Sequence, residues 1–337
     1  MEPVSELIQT TVVGSYPVPD WLRAYPTSGN LRDATIVVIR SQEMAGIDVI
    51  SDGELVRFDV NHPETNGMID FFVAPLEGIA TELTGEELAG WRSREDFAFR
   101  SQPAGVVRAP LAAGELDLVA AHKNVQDLAT RPLKFTITSP YMLARTLLDL
   151  HYGDLEPLVL ALADVLAGQV AAIEAAVLQV DEANLPGSPQ DAELAAEGIN
   201  RVLATTEGET AVHLCFGNYG GQTIQQGGYA ALLPFFNALT CDHLVLEFAR
   251  RDEDELAFFQ EVKPEIALGI GVVDIKDNVV ESADLVAGRI ERAVEVLGAE
   301  RVRWVHPDCG FWMLHRSIAD RKMAALVEGR NLFAGKS

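Results

Sequence analysis

Eight short segments rich in β-branched, aliphatic and aromatic residues recur along this chain, and helix-length segments separate most of them. They cover residues 11–15, 48–54, 134–139, 178–182, 210–216, 243–248, 266–274 and 302–309. The intervening segments are rich in Ala, Leu and Glu and include residues 158–176, 192–205, 229–238, 282–297 and 317–327. Such alternation is typical of parallel strands joined by crossover helices. Eight repeats predict an α/β fold, the (β/α)8 TIM barrel.

The regular alternation is interrupted over residues 60–134, where several prolines stand among short runs of mixed polarity. We predict a single barrel domain over residues 1–337, with this segment inserted between its second and third strands. The insertion is expected to hold a small hairpin and a helix near residues 122–130. An open doubly wound sheet is the alternative. Its Gly-x-Gly-x-x-Gly fingerprint is missing after the first segment, where Gly14 stands alone.

Charge and composition argue against several function classes. The 337 residues include 26 basic and 50 acidic side chains, a net charge of −24, which opposes binding to nucleic acid or to an anionic membrane surface. Charged runs such as residues 251–255 are interpreted as exposed surface. Three cysteines, no charged-then-apolar leader and no apolar run of about 18 residues argue against a disulfide framework, secretion or a membrane span. We therefore expect a cytoplasmic globular protein.

Polar and metal-binding residue types stand at or just beyond the C-terminal ends of the predicted strands. In a TIM barrel these ends meet at one mouth, where catalytic groups gather. The residues concerned are Ser15, Glu54, Ser139, Asp181, Glu182, Cys215, Glu247, Asp274 and Cys309. The sequence therefore predicts one site assembled from distant parts of the chain.

Four residues at strand ends form a candidate zinc-binding set: His213, Cys215, Glu247 and Cys309. Residues two apart on a strand point to the same face, so His213 and Cys215 can reach one ion together. Two thiolates, an imidazole and a carboxylate favour zinc over magnesium or calcium. The alternative is structural, with buried cysteines and a core histidine, and His-x-Cys alone does not match the common zinc-finger spacings. Cys241 has no partner at ligand spacing and is interpreted as packing.

Six motifs carry a family resemblance. They are TVVGSYP at residues 11–17, SDGELVRFD at 51–59, VDE at 180–182, HLC at 213–215, LEFAR at 246–250 and PDCG at 307–310. Together they resemble the C-terminal catalytic barrel of the cobalamin-independent methionine synthases, over nearly the whole chain. The last three motifs are the most specific, because they stand in the order that this family uses for zinc. The resemblance implies a zinc-dependent methyltransferase that converts homocysteine to methionine.

The resemblance also implies roles for individual residues. The implied ligands of the Zn2+ cofactor are His213, Cys215, Glu247 and Cys309. Ser15 is expected to meet the substrate carboxylate, and Glu54 and Asp181 to hold its ammonium, with Ser139 as a further substrate-binding candidate. Two buried carboxylates are costly without a cation, which the ammonium supplies. An ion pair with Arg57 is the alternative.

Zinc is expected to deprotonate an incoming thiol, which is otherwise only a few per cent thiolate at neutral pH. Four protein ligands make a closed site, whereas catalysis needs an open position. We hypothesise that Glu247, a hard carboxylate among soft donors, gives way to the substrate sulfur.

The methyl donor is less constrained than the acceptor. The motif GVVDIK at residues 271–276 places Lys276 where the full-length enzymes have a histidine implicated in protonating the folate leaving group. A lysine is a poor general acid at neutral pH, whereas a methyl-corrinoid leaving group needs no proton. The full-length enzymes also carry an additional N-terminal barrel that helps to hold folate. Methylcobalamin, a methylated corrinoid protein and methyltetrahydrofolate are therefore all candidate donors, with Lys276 as a candidate catalytic residue.

Two alternative functions keep the barrel and the zinc. The epoxyalkane:coenzyme M transferases activate a different thiol, but coenzyme M has a sulfonate and no amine for Glu54 and Asp181 to meet. A non-catalytic barrel stabilised by zinc would unfold on chelation, and no thiol would change its metal site.

Overall fold

The computed structural model describes residues 8–93, 101–217 and 227–335, with the backbone alone at residue 253. Within these ranges the strands are β1 (Gln9–Thr10), β2 (Ile50–Ser51), β3 (Glu77–Ala80), β4 (Val106–Ala112), β5 (Leu133–Thr138), β6 (Leu148–Asp149), β7 (Val177–Glu182), β8 (Glu209–Leu214), β9 (His243–Leu246), β10 (Ala267–Val273) and β11 (Val302–Pro307). The helices are α1 (Asp20–Ala24), α2 (Ser28–Ala45), α3 (Asp70–Val73), α4 (Gly85–Arg92), α5 (Leu118–Gln126), α6 (Pro140–Arg145), α7 (Leu155–Val170), α8 (Ala192–Leu203), α9 (Leu233–Ala238), α10 (Glu253–Phe258), α11 (Ala283–Leu297) and α12 (Arg316–Phe333).

Eight parallel strands form the central sheet, in the order β1-β11-β10-β9-β8-β7-β5-β2. A parallel bridge between Thr11 and Val49 joins the two outer strands. The amide of Val49 donates to the Thr10 carbonyl at 3.1 Å, and the Thr11 hydroxyl donates to the Val49 carbonyl at 2.8 Å. These contacts close the sheet, which confirms the predicted (β/α)8 barrel.

The first two barrel strands differ from the prediction: β1 lies just before the segment predicted at residues 11–15, and β2 is shorter than the segment predicted at 48–54. Each is two residues long and is followed by irregular backbone. The predicted helix over residues 229–238 is a 3-10 turn, Tyr229–Leu232, followed by the short helix α9. Pro234 lies in the first turn of α9, where its missing amide proton costs no hydrogen bond.

Local sequence signals explain where the longer helices begin and end. The Thr27 side chain caps α2 by accepting from the Asn30 amide, and Gly46 ends that helix with a φ of +91°, which glycine tolerates. Ser282 caps α11 in the same way. The outer helices pack on the barrel with one apolar face, as in α8, where Ala195, Ile199 and Val202 are buried.

A second sheet of three strands lies outside the barrel order. In it β3 pairs antiparallel with β4, and β4 pairs parallel with β6. The segment at residues 60–134 supplies β3 and β4, while β6 follows β5 along the chain. Helix α5 overlaps the helix predicted near residues 122–130 but begins and ends four residues earlier. Residues 94–100 of this segment lie outside the described ranges.

The interior of the barrel contains polar side chains as well as apolar ones. The Lys134 ammonium is fully enclosed and donates to the Val12 carbonyl at 3.0 Å and to Gln179 Oε1 at 2.8 Å. Gln179 in turn donates through Nε2 to the Val13 carbonyl and to Asp181 Oδ1, at 2.8 and 2.7 Å. This hydrogen-bonded chain runs along the inside of the barrel to its mouth. In the described ranges, none of the helices has the length and apolar character needed to cross a bilayer.

Candidate metal centre and substrate site

Two sulfurs and one imidazole come together at the mouth of the barrel. His213 and Cys215 lie at the end of β8, and Cys309 follows β11. The donor atoms of the three residues all lie within 4.8 Å of one another, and the Cys215 and Cys309 sulfurs are 3.9 Å apart. In the sheet β9 and β10 separate β8 from β11, so the curvature of the barrel brings the donors together. We refer to these three residues as the donor cluster.

The imidazole of His213 is oriented for an ion. Its Nδ1 lies 2.8 Å from the Val245 carbonyl, so Nδ1 donates and Nε2 faces the sulfurs. Nε2 is buried and has no hydrogen-bond partner among the described residues. A buried polar atom without a partner is costly, and a metal ion satisfies it. Two sulfurs and an imidazole at this spacing fit the chemistry of zinc.

The electrostatics of the donor cluster also favour a positive charge. A hydrogen bond from Cys309, together with the nearby His213, holds the pKa of Cys215 well below its usual range. The same hydrogen bond and burial raise the pKa of Cys309. Burial opposes a charged His213, but the adjacent Cys215 outweighs this effect and raises the pKa of the imidazole to about 9. The lowered pKa of Cys215 places negative charge in the cluster, which a metal cation would balance.

Glu247, the fourth predicted ligand, points to other partners. Its Oε1 lies 3.1 Å from Arg251 Nη2, and its Oε2 lies 3.2 Å from Lys276 Nζ. It does not belong to the donor cluster. The structure therefore brings together three of the four predicted ligands and places the fourth in a double ion pair. Lys276, the candidate catalytic residue, is buried in this ion pair.

Glu54 is held at the mouth by an unusual backbone conformation. Its φ of +59° lies in the left-handed region, which among the described residues other than glycine is adopted by Glu54 alone. Its Oε1 accepts from the Thr136 hydroxyl at 2.9 Å, and its Oε2 lies 3.3 Å from Arg57 Nη1. A Cβ atom on Gly14 would overlap Oε1, so a side chain there would displace the Glu54 carboxylate from this position. The ion pair with Arg57, considered as an alternative from the sequence, is present.

Asp181 is the penultimate residue of β7 and lies beside Glu54 in the same site. Its carboxylate accepts from the Gln179 side chain rather than pairing directly with Arg57. Burial and the neighbouring charge of Glu54 raise its pKa to about 7. In register, Asp181 is also the direct neighbour of His213 on β8. The carboxylates and the donor cluster therefore share one mouth.

The two predicted serines occupy different environments. Ser15 packs against the loop that carries Cys309: its carbonyl accepts from the Phe311 amide at 2.8 Å, and a Cβ on Gly310 would overlap its hydroxyl. Ser139 is fully buried, donates its hydroxyl to Glu182 and caps α6. The hydroxyl of Ser139 is therefore engaged within the protein, while Ser15 stands at the edge of the donor cluster.

Some residues of the site were not singled out from the sequence. The run at residues 251–255 was interpreted as exposed surface, which is wrong for Arg251: only 13% of its side chain is exposed. In the sequence, the position of Arg251 four residues after Glu247 could have indicated their ion pair. Asp308 accepts from the amides of Phe248 and Ala249 at 2.8 and 2.9 Å, which ties the β11 loop to the end of β9. No local pattern marks that contact.

This arrangement defines a TIM-barrel protein with a candidate transition-metal centre at the C-terminal ends of its strands. A family model described as the catalytic domain of cobalamin-independent synthase matches residues 8–330. The chain belongs to this family, the cobalamin-independent methionine synthases, and is a methyltransferase.

Individual relatives agree with the family assignment. A methionine synthase from Thermococcus kodakarensis is 30% identical over 343 residues, covering 96% of this chain and 92% of the relative. A methionine synthase from Saccharolobus solfataricus is 28% identical, covering 96% and 94%. The structure of a B12-independent methionine synthase from Shewanella sp. W3-18-1, in complex with selenomethionine, superposes with a TM-score of 0.78 at 20% identity, covering 97% of each chain. This last likeness supports the fold.

Proposed function

We propose that this chain is a zinc-dependent methyltransferase that transfers a methyl group to homocysteine and forms methionine. The observation that carries the proposal is the donor cluster, with its unpartnered His213 Nε2, beside Glu54 and Asp181 in one mouth. The relatives named methionine synthase support the acceptor, because this chain covers more than nine-tenths of their length.

His213, Cys215 and Cys309 would hold the zinc ion, with Glu247 as the further candidate from the sequence. Bound zinc would lower the pKa of an incoming thiol and keep it as a thiolate at neutral pH. The Val245 carbonyl fixes the His213 ring in the orientation that the ion needs. The sulfur then forms a bond to the methyl carbon of the donor as the bond from that carbon to nitrogen or cobalt breaks.

Glu54 and Asp181 would bind the ammonium of homocysteine. Burial and the neighbouring charge of Glu54 raise the pKa of Asp181 to about 7, which shows that, among the described residues, the site lacks a compensating positive charge beside this carboxyl. A substrate ammonium between the two side chains would supply that charge and favour the ionised form of Asp181. Ser15, beside the Cys309 loop, would donate to the substrate carboxylate. Ser139 is a weaker candidate because its hydroxyl already donates to Glu182.

The methyl donor is proposed as methyltetrahydrofolate, with methylcobalamin or a corrinoid protein as the second candidate. The family description, cobalamin-independent, favours the folate. Lys276 Nζ lies 3.2 Å from Glu247 Oε2, and this ion pair directs the amine to the Glu247 carboxylate rather than to a folate leaving group. The protonating group is therefore water or a side chain other than Lys276.

The experiment that tests the proposal uses the zinc-loaded protein and detects methionine by mass spectrometry. Homocysteine is supplied with methyltetrahydrofolate in one arm and with methylcobalamin in the other, and chelated protein is the control. We expect methionine in at least one arm and none after chelation. If neither donor gave methionine, while coenzyme M and an epoxide gave a thioether, the alternative thiol alkyltransferase activity would replace the proposal.

A further inference from the structure

The ion pairs of Glu247 involve two cations on different elements. Lys276 lies in the loop after β10 and Arg251 in the loop after β9. Each takes one oxygen of the carboxylate, at 3.2 and 3.1 Å. The Lys276, Arg251 and Glu247 side chains are 4%, 13% and 6% exposed, so water screens these contacts weakly. We call Lys276 and Arg251 the carboxylate clamp.

The clamp is built next to the donor cluster. The Arg251 guanidinium lies over the ring of Phe216, 3.6 Å from its centroid, and Phe216 directly follows Cys215. Arg251 also contacts Glu255 Oε1 at 3.2 Å and the Gly227 carbonyl at 3.1 Å. Arg251 therefore keeps partners whether or not Glu247 stays with it. The position of Arg251 does not depend on Glu247 alone.

A carboxylate can be attracted to a metal ion or to these two cations, but each bond that it makes to one weakens its bond to the other. From this geometry we infer that Lys276 and Arg251 are positioning residues that compete with the bound metal for the Glu247 carboxylate. The inference rests on the proposed function, because it assumes that the donor cluster binds zinc. It assigns Lys276 a role in metal-site chemistry and not in proton transfer to the leaving group.

Neutralising the clamp tests this competition. Lys276→Met and Arg251→Met each release one oxygen of Glu247, so we expect zinc to bind on the order of tenfold more tightly in each variant, the size typical of changes around metal ligands. Zinc affinity is measured by competition with a chromophoric chelator. The absorption spectrum of the cobalt-substituted protein gives a second readout, which should change as an oxygen donor joins the site.

Two controls separate the clamp from a general effect of charge. Arg250→Met removes a cation from the neighbouring position, where Arg250 pairs with Asp274 at 2.6 Å, and should leave zinc affinity nearly unchanged. In a Glu247→Gln background the clamp substitutions should lose their effect, because the competing carboxylate is absent. Lys276→Arg should restore affinity close to that of the wild type. Circular dichroism checks that each variant is folded.

Unchanged or weaker zinc binding in both clamp variants would overturn the inference, as would an equal gain in Arg250→Met or in the Glu247→Gln background. These outcomes differ from failure of the proposed function. In that case the wild-type protein itself would bind no zinc or form no methionine.

Discussion

The donor cluster and the carboxylate pair lie in one mouth, but they satisfy their polar atoms differently. Glu54 and Asp181 accept hydrogen bonds from Thr136 and Gln179, and Arg57 lies beside Glu54. In the donor cluster the Cys309 thiol donates a hydrogen bond to the Cys215 sulfur. His213 Nε2 has no hydrogen-bond partner among the described residues. The hydrogen bonds of the carboxylate pair are largely supplied by the protein, while the donor cluster leaves one nitrogen without a partner in the described ranges.

This contrast distinguishes a ligand that stays bound from one that exchanges. A buried nitrogen such as His213 Nε2 destabilises the fold unless a ligand stays bound to it. The donor cluster is therefore suited to a permanently bound ion. The carboxylates tolerate the absence of a ligand because protein groups hold them, and a substrate ammonium can come and go. The predictions below test this division.

The largest effect is expected at the donor cluster. Cys309→Ser replaces a thiolate with a hydroxyl, a poor zinc ligand, so bound zinc and activity should fall by more than about 100-fold while the barrel stays folded. Metal content by mass spectrometry and circular dichroism check this. Cys241→Ser is the matched control, because Cys241 is buried but lies outside the cluster. Full zinc retention in Cys309→Ser would remove this residue from the site.

A smaller effect is expected at the carboxylate pair. Asp181→Asn and Glu54→Gln each remove one charge that faces the substrate amine, which is worth about 1.5–3 kcal/mol, or roughly 10–100-fold in kcat/KM for homocysteine. Zinc content should not change. With 4-mercaptobutanoate, which lacks the amine, wild type and variants should differ little. Equal losses with both thiols would mean that the carboxylates act on something other than the ammonium.

The sequence predicts the barrel and most of the mouth because both depend on local patterns. Strand-end residues such as Cys215 and Asp181 are visible from the apolar runs before them, and strand ends converge in any closed parallel barrel. The donor cluster follows from that geometry. Strand β1 lies just before the segment predicted for it and β2 is shorter than predicted, since apolar residues continue past the last ladder hydrogen bond into buried loops.

Orientation of individual side chains could not be predicted in this way. The Glu247 side chain is oriented by its ion pair with Lys276, and the pairing of β9 with β10 brings Lys276 close to it. Arg251 lies in a charged run that is typical of exposed loops, yet Phe216 and Glu247 cover it. Such contacts depend on tertiary packing, and no spacing rule in one sequence encodes them.

Lys134 is hydrogen-bonded to Gln179, which in turn donates to Asp181, so this lysine tests how the carboxylate pair is held. Burial lowers the pKa of this lysine to about 7. Between pH 7 and its ordinary value of 10.5, the unfolded chain binds more protons at this position than the folded one, so the free energy of unfolding rises with pH. Lys134→Met should flatten this rise by up to about 1.4 kcal/mol per pH unit. Urea unfolding of both zinc-loaded proteins from pH 7 to 9.5 measures the difference, and parallel curves would contradict it.

The last predictions compare one hydroxyl on each side of the mouth. Tyr229 donates to the Glu247 carbonyl at 3.1 Å, and Tyr141 donates to the Asp191 carboxylate at 2.7 Å. Tyr229→Phe removes a hydrogen bond to a neutral group and should lower the free energy of unfolding by about 1 kcal/mol, while Tyr141→Phe removes one to a charged group and should cost about 1.5–3 kcal/mol. Both variants keep their rings, so packing is preserved.

Chemical unfolding of the zinc-loaded proteins gives these values, and zinc content is measured alongside. Zinc affinity should be unchanged in Tyr141→Phe, because the Tyr141 hydroxyl contacts Asp191 at the start of α8 and not the donor cluster. It should also change little in Tyr229→Phe, because Tyr229 contacts the backbone of Glu247 and not its carboxylate. A loss of zinc in Tyr229→Phe alone would show that the Tyr229 hydroxyl positions the donor cluster through the Glu247 backbone. The structure that retains the resident ion would then include the aromatic residues packed around Tyr229.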